Sequence, residues 1–160
     1  MNISSTIDAF EQFAVWTNQL VQRSDQEWRR PINEGKASVA EVIAHLRNWD
    51  LHLIDIVIPS VRRGEGMEFP DFDAYNARAY EYANSGIRKD QLLEQFASDR
   101  MRLVKMLREM KPEEIRLEVP ANGVANCPKT GTPYSLIYII HEFVEHDLHH
   151  KGQIASCLET

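Results

Sequence analysis

Apolar residues recur along this chain at helical spacing in four long stretches. From Thr6 to about Arg23, the residues Ile7, Phe10, Phe13, Ala14, Leu20 and Val21 fall on one side of a helix. The stretch from Ser24 to Lys36 holds Pro31 and Gly35, and both interrupt helices. Ser38, with Glu41 three residues later, has the form of a capping box. Behind it Val39, Val42, Ile43, Leu46, Trp49 and Leu53 continue the pattern, and Pro59 is expected to end this second helix. A third helix is predicted from about Lys89 to Met110, with Leu92, Leu93, Phe96, Leu103, Leu107 and Met110 on one side and Pro112 just beyond. The last runs from about Tyr134 to Leu158. Two long connections separate these helices. Residues 60–86 carry a short helical segment, Phe72 to Ala83. The second, Glu113 to Pro133, contains an alternating Ile115-Arg116-Leu117-Glu118-Val119 that reads as a strand in a small hairpin.

Four amphipathic helices in 160 residues predict one all-α domain spanning residues 1–160, a four-helix bundle. The charge balance, 18 Lys+Arg against 24 Asp+Glu, gives −6 with no block of basic residues, so a nucleic-acid partner is not expected. No apolar run approaches the length of a membrane helix, and the N-terminus lacks a basic region followed by an apolar one. The two cysteines, Cys127 and Cys157, suit a reducing cytoplasm. Cys127 reads as a lone loop cysteine, and Cys157, on the apolar stripe of the last helix, as a small core residue.

Four of the six histidines lie within ten residues, His141 to His150. On a helical wheel with Leu136 at zero, His150 falls at about 320° and His146 at about 280°, on or beside the apolar stripe. His149 at about 220° and His141 at about 140° point away from it. His146 and His150 form an i, i+4 pair, which can occupy two neighbouring positions of one metal ion. A third ligand must come from another helix. His45 and His52 share an angular position on the second helix but stand seven residues apart, so one ion cannot collect both, and spacing leaves the choice open.

Ala40-Glu41-Val42-Ile43-Ala44-His45-Leu46 with Trp49-Asp50, and His146-Asp-Leu-His149-His150-Lys-Gly-Gln153-Ile154, resemble the second-helix and final-helix motifs of the DinB-like superfamily. Phe72-Asp73-Ala74-Tyr75-Asn76 is similar to a third family stretch. The resemblance spans nearly the whole chain. It implies a bundle with long crossover connections, a divalent metal held by His45, His146 and His150, and a small-molecule substrate. Through the resemblance, His45 is preferred over His52. It also raises a homodimer, which no face of the sequence demands.

Three imidazoles leave open positions on a metal, the mark of a catalytic site rather than a closed structural one. Zinc or nickel is expected, and iron or manganese also accept nitrogen donors. Two chemistries follow, hydrolysis or transfer of a low-molecular-weight thiol such as bacillithiol or mycothiol to an electrophile, and the competing class is a stress protein that binds metal or thiol without turnover. The resemblance favours the thiol. No carboxylate stands where the Glu of H-E-x-x-H would, and Glu142 and Glu145 read as solvated, which weakens the hydrolase. Trp49 suits a pocket wall or a core contact between helices. Asn76 either reaches the pocket or caps a short helix. Asp147 either orients an imidazole or pairs with Lys151. The bundle is expected to fold without metal.

Overall fold

The protein is described by a computed structural model covering residues 2–159. Helix α1, Ile3–Thr17, starts where the Asn2 side chain accepts the Ser5 N–H, and it tightens into a 3₁₀ turn over Asn18–Gln22. A single turn, α2 (Asp25–Trp28), interrupts the predicted break and buries Trp28. Helix α3, Val39–His52, opens on the Ser38–Glu41 capping box, with both reciprocal hydrogen bonds made. Its path continues through a π turn, Leu53–Val57, into α4, Ile58–Arg62.

Pro59 therefore does not end the second helix. In the π turn the Ile58 N–H reaches back five residues to the Leu53 carbonyl. This shift of register opens α4 afresh, with Pro59 in its first turn, where a missing N–H costs nothing.

Helix α5, Phe72–Ala83, occupies the first long connection with the predicted bounds, and α6 follows at Lys89–Glu109. A one-turn α7, Pro112–Ile115, absorbs the first residue of the expected strand. Among the described residues the alternation beyond it produces only one isolated bridge, Glu118 with Ser135, and the rest of the connection adds others such as Asn126 with Pro133. The loop nonetheless folds back on itself: the Val119 N–H donates to the Tyr134 carbonyl at 3.0 Å, and the Tyr134 N–H to Ala125 at 2.9 Å. Last comes α8, Leu136–Leu158, capped by Ser135.

Around the bundle the order is α1, α6, α3, α8. Helix α1 packs on α6 and α8, α3 packs on α6 and lightly on α8, and α5 covers α3. The segments joining α1 to α3 and α6 to α8 thus link diagonal helices. The first of these, read from sequence as a mere interruption, is a crossover too.

The core has two halves. One gathers Ile7, Phe10, Leu53, Val57, Leu103, Leu107, Leu136 and Ile140. The other gathers Phe13, Leu20, Trp28, Ile43, Leu46, Leu92, Phe96 and Ile154. Between them, by position along α3, α6 and α8, lies a polar layer of Asp50, Arg100 and Asp147, each at most 2% exposed. All five guanidinium N–H groups have acceptors. Nε and Nη2 donate to Asp50 at 2.8 and 3.1 Å, Nη1 and Nη2 to Asp147 at 2.8 and 3.4 Å, and Nη1 also to the Phe10 carbonyl at 2.9 Å. The Phe10 ring stacks beneath the guanidinium at 3.6 Å.

Candidate metal centre

His45 sits in the middle of α3, on the face turned to α8, and is buried. One turn on, Trp49 uses the same face, and its indole Nε1 donates to Asn76 Oδ1 of α5 at 2.9 Å. Tyr75 of α5 donates its hydroxyl to the Asn48 carbonyl at 2.7 Å, a second tie between these helices. From α8, His146 and His150 project toward His45, both half-buried.

The structure brings these three imidazoles together, with ring centroids 4.4 to 5.6 Å apart. Among the described residues they form the one group of three or more His, Cys, Asp or Glu side chains whose ligand atoms lie mutually within 4.8 Å. His52 lies elsewhere, its Nε2 2.7 Å from the Glu68 carbonyl. His149 faces solvent.

Three features of the donors fit a cation. The Nε2 atoms of His146 and His150 stand 3.1 Å apart, close to the roughly 3.3 Å edge of a tetrahedron with bonds of about 2.0–2.1 Å. Nδ1 of His45 is buried with no hydrogen-bond partner among the described residues. The imidazoles are also held neutral, as ligands must be. Burial, then the neighbouring His150 and His146, pushes His45 down to about 3. Burial, followed by His150 and His149, takes His146 to about 4. His150 is lowered by burial as well.

Gln153, to which the sequence reading gave no role, stands one turn beyond His150. Its Oε1 lies 2.8 Å from His150 Nδ1, so it can accept the proton there and leave Nε2 free for the site. The Tyr80 ring of α5 closes another side at 6.2 Å from His45.

Asp147 neither orients an imidazole nor pairs with Lys151. Both its oxygens lie against Arg100, while Lys151 sits over the Trp16 ring. Arg100 escaped the sequence reading, although its signal was present: it stands at helical spacing among the apolar Phe96, Leu103 and Leu107 of α6.

A cavity of about 500 Å³ opens beside the histidines. His146 lines its wall, with Trp49, Phe69, Phe72, Tyr134 and Phe143 supplying aromatic surface and Asn76 a polar point. Glu142, exposed to solvent as expected, also lines this cavity one turn before His146. The strap carrying Phe69 is pinned by Asn122, whose Oδ1 accepts the Phe69 N–H at 2.7 Å. Asn122 adopts a φ of 48°, a left-handed conformation that Asn tolerates better than most residues. Cys127 is buried in the folded loop, and hydrogen bonds from Tyr138, then Thr130, draw its thiol down to about 6.

A family model described as the DinB superfamily matches residues 9–154. No curated protein matches the chain. Three chains of solved structures do. One is YfiT from Bacillus subtilis, described as "a probable metal-dependent hydrolase with an unusual four-helix bundle topology". It is 17% identical with a TM-score of 0.67, over 97% of this chain and 85% of that one. At that identity the likeness establishes the shared fold.

Proposed function

The chain belongs to the DinB superfamily, and from that membership and its converging imidazoles we infer that it is a divalent-metal-dependent enzyme joining a low-molecular-weight thiol to a small electrophile. One observation carries this reading: His146 belongs at once to the three-histidine cluster and to the wall of an aromatic cavity. A cation held by His45, His146 and His150 would thus face a space large enough for a small molecule. Zinc or nickel suits three nitrogen donors, with iron and manganese next. Bound there, the ion supplies Lewis acidity that lowers the pKa of a thiol or water brought to its free positions.

The chain's own residues do the rest. Gln153 holds His150 in the tautomer whose Nε2 lone pair faces the site. Asn76 fixes Trp49 as a wall, and the aromatic lining keeps water from the electrophile's apolar body. The thiol gives up its proton to solvent, and its sulfur bonds to the electrophilic carbon as the bond from that carbon to the leaving group breaks, the leaving group departing with the electron pair.

Glu142 favours a second reading. A carboxylate on the cavity wall can take a proton from an attacking water, which gives a hydrolase a base outside the H-E-x-x-H position. YfiT's own description as a probable metal-dependent hydrolase supports it.

The test loads the protein with zinc or nickel and follows thiol loss with bacillithiol or a surrogate thiol and a panel of electrophiles. Ester and amide hydrolysis are assayed in parallel without thiol. His45→Ala, His146→Ala and His150→Ala should each lose about tenfold or more in metal affinity and their turnover, while His149→Ala keeps both. Turnover that needs no thiol would select the hydrolase. Equal rates for wild type and His150→Ala would end both readings.

A further inference from the structure

Resting on the reading of the cavity as the substrate site, we propose that it takes an organic cation, an alkylated or protonated amine, in an aromatic cage closed by Glu142. The rings do not stack into a slab. Trp49 meets Phe72 at 5.2 Å and 86°, Phe143 at 6.2 Å and 39°, and Phe69 at 6.5 Å and 45°. Faces and edges are therefore turned at different angles around the space, with Tyr134 completing the wall. Aromatic faces carry partial negative charge, so such a space attracts a cation beyond what its apolar area gives a neutral molecule.

The polar groups point the same way. Glu142 is the one acidic side chain on the wall, and no Lys or Arg lines it among the described residues. Glu142 enters none of the ion pairs among those residues, and its neighbour there is the neutral Tyr138 hydroxyl rather than a cation. The side-chain oxygens of Asn76 and Asn122 are already engaged, by the Trp49 indole and the Phe69 N–H. At the Glu142 end an anionic ligand would be repelled with no Lys or Arg on the wall to offset it, whereas an organic cation would add Coulomb attraction to that of the rings. Glu142 precedes His146 by one turn, about 6 Å along α8. The ammonium end of a ligand thus settles at the outer, Glu142 end, and its reacting group is left facing the histidines.

Choline and its carbon isostere 3,3-dimethylbutan-1-ol differ chiefly in charge, and titration of each into metal-free protein, followed by proton NMR of the methyl groups, tests the cage. Choline should bind at least about tenfold more tightly, with its methyl signals moved by the ring currents. Glu142→Gln, at a solvent-exposed position, should remove most of that preference, and Phe72→Leu at the exposed lip should weaken choline more than the isostere. Equal affinities for the two probes, or a preference untouched by Glu142→Gln, would overturn the proposal. Metal uptake is measured separately on the same samples, so a failed metal reading and a failed cage give different results.

Discussion

At the scale of single residues, His45 couples the site to stability. Between pH 6.5 and about 3 the unfolded chain carries a proton on His45 that the folded chain refuses. The unfolded state then binds more protons, so stability falls as pH falls through that window. Asp50 acts in the opposite sense. Burial, only partly offset by Arg100, raises its carboxyl above the usual carboxylate range, so on acidification the folded state takes up this proton before the unfolded one does. Replacing His45 separates the two. Relative to wild type, His45→Leu in metal-free form should gain about 3 kcal/mol between pH 7 and pH 4 in urea denaturation. A difference that stays constant with pH would mean that His45 is not held neutral by burial. The residue types of this site were legible from the i, i+4 spacing of His146 and His150. His45 and His52 were not separable by spacing, because the wheel gives direction around α3 but not height against α8.

At the scale of the elements, the Arg100 layer joins α6 to both α3 and α8. Removing the guanidinium would strand two buried carboxylates, so Arg100→Met should destabilise the protein by about 3–5 kcal/mol at neutral pH. Lowering the pH should recover part of that loss as Asp50 and Asp147, both raised by burial, take up protons. A loss below about 1 kcal/mol in equilibrium denaturation would deny the layer this role. Helix periods were readable because burial imposes them locally, and α5 and the Ser38 cap of α3 came out as expected. Pro59 misled because the π turn that accommodates it leaves no mark in the apolar pattern. Ile115 to Val119 misled because alternation makes a strand only where a partner offers a ladder, and here Ile115 closes a helical turn.

For the whole molecule, a bound cation would tie α3 to α8, a pair that otherwise touch only lightly. With free metal at about a hundred times its dissociation constant, stability should rise by about 2.7 kcal/mol. In a chain of this size that is about 5–10 °C in thermal midpoint. A chelator should reverse the shift while far-ultraviolet dichroism stays helical, since the two apolar half-cores form without the ion. Collapse of the helical signal on chelation would make the ion structural instead. Sequence alone determined the four long helices with α5, the bundle and the histidines of α8, because amphipathic period, capping and i, i+4 spacing are properties of neighbouring residues. Only the tertiary structure decided that His45 meets that pair, that Asp147 serves Arg100, that Glu142 borders a cavity and that α1 and α3 lie across a diagonal. Those outcomes depend on which distant turns come to lie at the same level, and that is fixed by the packing of whole helices rather than by any local pattern.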